Sequence, residues 1–199
     1  MENEERFELR NARCLAADYL RRALRPGDTA VDATVGNGGD TLALCELVGE
    51  TGHVIGFDVQ ETALERTRER LLQAGMLERA QLLLCGHERL REHVSAAPQA
   101  VVFNLGWLPG AAHTVTTRTE TTLAAVSAAA ELVAPGGIVT VCIYPGHEEG
   151  QRELAALLDW AARLDVRIYN ALHHRFLCAP AHTPQLIVIQ KLPGALRFC

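Results

Sequence analysis

The segment from Val31 to Thr41, Val-Asp-Ala-Thr-Val-Gly-Asn-Gly-Gly-Asp-Thr, joins a carboxylate, a glycine-rich turn and the polar start of a helix. Glycines in such a turn adopt positive φ and let a ligand press against the backbone. The helix that follows offers free N–H groups. A dinucleotide fingerprint needs G-x-G-x-x-G. Here Gly36 and Gly38 keep the spacing, but the third position is Thr41, and Asp40 places a negative charge where a pyrophosphate would lie. The turn therefore disfavours an anionic cofactor and suits one bearing a positive centre and an amine. Asp58 ends a second apolar run twenty residues beyond Gly38. An acid at that offset can accept both hydroxyls of a ribose. Turn and acid together are more specific than either alone and point to a nucleoside-bearing cofactor.

These groups need strands to carry them and helices to hold the strands. Apolar runs predict strands over Thr29–Ala33, His53–Asp58, Gln81–Cys85, Ala100–Asn104, Ile138–Tyr144, Val166–Leu172 and Gln185–Lys191. Helical spacing predicts helices over Asn11–Leu24, Asp40–Val48, Glu61–Gln73 (with Leu64, Leu71 and Leu72 as apolar contacts), Glu88–Val94, Thr119–Val133 and Glu149–Leu164. This alternation predicts a Rossmann-like, doubly wound α/β sheet of seven strands. It should be mostly parallel with an antiparallel last strand, and have helices on both faces. Residues 1–199 are expected to form one domain, with residues 1–27 supplying an N-terminal helix that packs on the sheet. Ligands of such sheets bind at the carboxyl ends of the strands, where the strand order reverses.

Composition removes several classes. The 199 residues include 19 basic and 24 acidic ones, a net charge of −5, and Lys191 is the only lysine. Such a chain does not coat nucleic acid by charge alone. No apolar run is long enough to span a membrane, and the charged start lacks a secretory signal core. Cysteines 14, 45, 85, 142, 178 and 199 never approach C-x-x-C spacing, so neither a zinc nor a thioredoxin-type site is expected. They fit a reducing, cytoplasmic setting.

The glycine turn, Asp58 and the sheet resemble the class I S-adenosylmethionine-dependent methyltransferases. Asp32 matches the acid that opens their first motif, and Gly36 and Gly38 match its last two glycines. Thr34 stands where the commonest pattern has a glycine. Cys85-Gly86-His87-Glu88, Phe103 to Gly110 and Tyr144 to Gly150 follow the third, fourth and fifth strands. With Asp32 to Gly38 they resemble the rRNA methylase group, whose characterised members are MnmM-type tRNA methyltransferases. Those methylate the aminomethyl nitrogen of the wobble 2-thiouridine. The chain departs from that group at Trp107, where tyrosine is usual, at Ala111-Ala112-His113, and in Ala179 to Pro184.

The resemblance implies S-adenosyl-L-methionine as cofactor. It would be held by Asp32, Thr34, Gly36, Asn37, Gly38, Asp40, Thr41, Asp58, Gln60, His87, Glu88 and Asn104. Methyl transfer to nitrogen is an in-line displacement that needs a neutral amine with its lone pair aimed. Asn104 and the backbone carbonyl of Leu105 could accept the amine hydrogens. His147 is the favoured histidine for taking its proton. Gly106, Trp107, Leu108, Thr117, Arg118, Tyr144 and His147 would line the substrate side, with Trp107 offering a π-face. No metal is expected. The implied substrate is RNA, namely tRNA carrying an aminomethyl (2-thio)uridine. Alternatives are a small-molecule amine or other methyltransferase, an rRNA methylase, and a cofactor-binding protein without catalysis. An arginine stripe drawn from Arg21, Arg22, Arg25, Arg118, Arg175 or Arg197 near the cleft would favour RNA. A homodimer could extend that surface.

Overall fold

The computed structural model describes residues 11–106 and 117–194. Strands β1 (Thr29–Asp32), β2 (His53–Asp58), β3 (Ala80–Leu84), β4 (Ala100–Asn104), β5 (Ile138–Ile143), β6 (Tyr169–His174) and β7 (Gln185–Lys191) form one sheet. Their order is β3-β2-β1-β4-β5-β7-β6. The first five strands pair in parallel, and β7 runs antiparallel to both β5 and β6. Helices α1 (Ala12–Ala23), α2 (Gly39–Val48), α3 (Glu61–Gln73), α4 (Leu90–His93), α5 (Thr119–Leu132) and α6 (Glu148–Ala161) cover it. None of the described helices is long and apolar enough to cross a membrane.

Alternation along the strands decides which face each site residue enters. Val31, Ile55, Phe57, Val101 and Phe103 point into the core under α4, α5 and α6. Ala30, Val54, Ala100 and Val102 point the other way, into the core under α1, α2 and α3. Asp32, Asp58 and Asn104 continue this second series. All three therefore end their adjacent strands β2, β1 and β4 on the same side, beside the point between β1 and β4 where the order reverses.

Two sequence expectations need correction here. The penultimate strand is Tyr169–His174, three residues later than the apolar run at Val166 predicts. The reason is Asp165, whose side chain accepts from Arg167 N while its carbonyl accepts from Ile168 N and Tyr169 N. That turn uses Val166 to Ile168 before pairing with β7 begins. Along α3, Leu64 and Leu71 are buried, but Leu72 faces solvent and Thr67 is buried in its stead.

Candidate active site

The turn after β1 is built by backbone bonds that only this sequence of glycines permits. Val35 N–H reaches Phe57 O of β2 (3.0 Å), and Gly38 N–H closes on Val35 O (2.9 Å). Gly36 and Gly38 have φ of 55° and 74°, the left-handed region. At Gly38 a Cβ would also lie 2.5 Å from Thr67 Oγ1 of α3. Gly38→Ala is therefore expected to lose roughly 2–4 kcal/mol of stability, combining left-handed strain with overpacking. Thermal unfolding measures it, and an unchanged Tm would refute the close packing of α3 on the turn.

Asp58 ties the turn to β2. Its Oδ2 accepts from Gly36 N (2.9 Å) and its Oδ1 from Gln60 N (2.9 Å). A carboxylate has about four lone-pair positions, so one on each oxygen remains for a ribose hydroxyl. Val59 beside it is an exposed apolar side chain that spacing alone did not single out.

Asp32 and Thr41 lie beneath the turn. Both are fully buried, with Thr41 Oγ1 donating to Asp32 Oδ2 (2.6 Å) and Thr34 N to Oδ1 (3.1 Å). Burial, together with the charge of Asp40, pushes the Asp32 carboxyl up to about 7. Neither side chain reaches the surface of the turn in this structure. They brace the loop from below, because its glycines bring the backbone over them. Thr34 is also turned inward. Its Oγ1 accepts from Asn104 N (2.7 Å), so the residue that replaces a glycine links β1 to β4 across the reversal. Asn37 Oδ1 accepts from Arg66 of α3 (3.2 Å).

Asn104 is the best-defined polar group at this point. Its Nδ2 donates to Asp40 Oδ2 (2.6 Å), and Arg13 NH2 from α1 donates to both Asp40 oxygens (3.1 and 3.2 Å). A carboxylate only accepts, so the amide nitrogen must face Asp40 and Oδ1 must face away. Asp40 thus does not stand as a bare charge at the helix start. Arg13 was not legible as a site residue, since it lies 27 positions before Asp40 on a helix of charged and apolar residues. Tyr144, half-buried after β5, belongs to the same cluster: burial raises its phenol, and the nearby charges of Arg13 and Asp40 also act on it.

His87 is buried against the edge of Phe103 (ring centroids 5.8 Å apart), and no hydrogen-bond partner reaches its Nε2. Burial lowers its pKa, so the ring is neutral. Glu88 is exposed beside it.

His147, the histidine the sequence favours for taking the proton, is placed at a helix start. It is the N-cap of α6, and its Nδ1 accepts from Gly150 N (3.1 Å). The signal was present in the sequence: Glu148 and Glu149 follow at once, as acids do in a first helical turn.

Leu105 is buried, with its N–H bonded to Cys142 O (2.9 Å). Gly106 and Thr117 bind each other. Gly106 N donates to Thr117 Oγ1 (3.0 Å), and Thr117 N to Gly106 O (3.3 Å). The two ends of segment 107–116 are therefore clasped. Glu149 Oε1 accepts from Thr119 N (2.7 Å) and Oγ1 (2.8 Å). Buried Glu153 accepts from the hydroxyls of Thr122 and Thr117. Two carboxylates of α6 thus anchor the clasp, an arrangement helical spacing did not reveal. Trp107 and Leu108 lie outside the described residues.

The expected arginine stripe divides. Arg25 N–H bonds to Asp28, just before β1, so Arg22 and Arg25 sit toward the amino end of that strand, whereas Arg21 lines a cavity with Arg13, Asp40 and Asn104. Arg118 and Arg175 are exposed at the carboxyl ends, Arg175 directly after β6. Arg197 lies outside the described residues.

Comparisons with known proteins identify the family and the fold. A family model described as "Putative rRNA methylase" matches residues 54–190. A tRNA (mnm(5)s(2)U34)-methyltransferase, chloroplastic, of Arabidopsis thaliana is 35% identical over 195 residues, covering 93% of this chain and 71% of that protein. A "putative rRNA-methylase" from Clostridium thermocellum superposes with a TM-score of 0.91 at 37% identity, covering 94% of this chain and all of that one. A "putative methyltransferase" from Streptococcus mutans in complex with SAH gives 0.85 at 35% identity, covering 93% and 100%.

Proposed function

Since the chain belongs to the rRNA methylase family and is an S-adenosylmethionine-dependent methyltransferase, we propose that it methylates RNA, at the aminomethyl nitrogen of a tRNA wobble (2-thio)uridine. The observation that carries the reading is Asn104 at the strand reversal, its amide nitrogen held by Asp40 and its carbonyl oxygen directed away. The relative from Arabidopsis thaliana, named for that wobble nucleoside, supports the substrate.

The residues present fit the cofactor. Asp58 keeps two lone pairs for the ribose, and the glycine turn leaves the backbone open. When bound, S-adenosylmethionine supplies an electrophilic methyl group on a sulfonium. Asp58 and the turn hold the nucleoside part. Asn104 Oδ1 accepts one hydrogen of the substrate amine, and the Leu105 carbonyl a second, which aims the lone pair. Tyr144 lines the same opening. His147 keeps its cap, and the product's proton passes to solvent. Arg118 and Arg175 serve as phosphate contacts. A cytoplasmic setting and a homodimer complete the proposal, the latter measured by light scattering.

The test is incubation of the purified protein with methyl-labelled S-adenosylmethionine and tRNA bearing 5-aminomethyl-2-thiouridine, followed by nucleoside mass spectrometry. Methylated aminomethyl-2-thiouridine is expected. Absence of label from that nucleoside overturns the substrate assignment.

A further inference from the structure

Asn104 could in principle present either end of its amide to a substrate. What decides between them lies on two helices far from it in sequence. Asp40, in the first turn of α2, receives Asn104 Nδ2 at 2.6 Å. Arg13, in the first turn of α1, closes on both Asp40 oxygens, with its guanidinium 3.8 Å from where a Cβ on Gly39 would stand. A cavity of about 120 Å³ between α1 and α2 is lined by Arg13, Asp40 and Asn104. The Asn104 backbone is fixed independently, by its bond to Thr34 Oγ1.

We propose that Arg13 and Asp40 form a positioning pair: Asp40 locks Asn104 with its carbonyl toward the nucleophile, and Arg13 cancels the charge that Asp40 would otherwise present to it. The site then selects a nucleophile that carries N–H and is neutral. This rests on the reading of Asn104 as the amine-binding group. A lone carboxylate this close would favour the ammonium form, which has no lone pair to attack with. Paired with Arg13, it orients Asn104 without that penalty. The other titratable groups around Asp40 are Asp32 from β1, and Cys142 and Tyr144 of and after β5. Burial pushes the Cys142 thiol up to about 12 and raises the Tyr144 phenol, so both are neutral near pH 7.

Two measurements test the pair. In SAH-bound protein labelled with ¹⁵N-asparagine, the Asn104 side-chain amide, identified by its loss in Asn104→Ala, is expected to show one slowly exchanging proton. Asp40→Ala should abolish that protection, with Asp40→Ser read instead if the alanine variant does not fold. Unchanged protection overturns the lock. In the tRNA methylation assay, Arg13→Ala should move the rising limb of the kcat profile, which reports ionisations in the enzyme–substrate complex, upward by roughly one pH unit or more. Arg13→Lys should restore it, as should Arg13→Ala combined with Asp40→Asn. A profile superimposable on wild type overturns charge cancellation. If the wild-type protein transfers no methyl to that tRNA, the substrate reading fails, and the amide signal still decides the lock.

Discussion

Asn104→Ala is expected to bind S-adenosylhomocysteine within about threefold of wild type and to lose roughly 10²–10³-fold in kcat, the usual cost of removing one preorganised hydrogen-bonding group from a reacting centre. The reasoning is geometric. Asn104 ends β4 on the face shared with Asp32 and Asp58, but the bonds that tie the glycine turn to β2 run through Asp58 and not through it. Its backbone bond to Thr34 Oγ1 does not need the side chain, so the reversal between β1 and β4 stays in place. What disappears is the acceptor that aims the amine. The Asp40 carboxylate keeps Arg13, so the stability cost should be only about 1 kcal/mol, that of one partly exposed hydrogen bond. Calorimetry with S-adenosylhomocysteine, single-turnover methylation and thermal unfolding separate these effects. Turnover close to wild type would remove Asn104 from the chemistry.

Asp58→Ala should act on the opposite quantity. Two hydrogen bonds from ribose hydroxyls to one carboxylate contribute about 3 kcal/mol together, so S-adenosylhomocysteine should bind roughly 100-fold more weakly. The substitution also strands the N–H groups of Gly36 and Gln60, which now find their acceptor in Asp58. Part of the loss will therefore come from a looser turn. At saturating cofactor, kcat should recover most of its wild-type value, because the groups around the amine are untouched. Unchanged affinity would refute the ribose assignment.

Much of the frame is legible before any coordinates. β2, α3, β4 and β7 begin and end where their apolar runs and turn residues do, because their patterning is local. The face shared by Asp32, Asp58 and Asn104 also follows from alternation once the strands are placed. β6 is less legible, since a single aspartate at position 165 diverts an apolar run into a turn. The partnerships of side chains are the least legible. Arg13, Asp40 and Asn104 meet across 27 and 64 positions of chain, and nothing in local spacing announces that. His147 shows the same limit from the other side. A histidine in a strand-end loop carries the same letter whether its nitrogen awaits a proton or already accepts from a helix backbone, as it does from Gly150.

The clasp between Gly106 and Thr117 makes the intervening stretch an exchangeable part. Gly106 and Thr117 are held together by their own hydrogen bonds, and Glu149 and Glu153 brace the start of α5 beside them. Doubling the length of such a stretch costs only about 0.6 kcal/mol in closure entropy. A change of length between Gly106 and Thr117 is therefore expected to leave the bonds that join them in place.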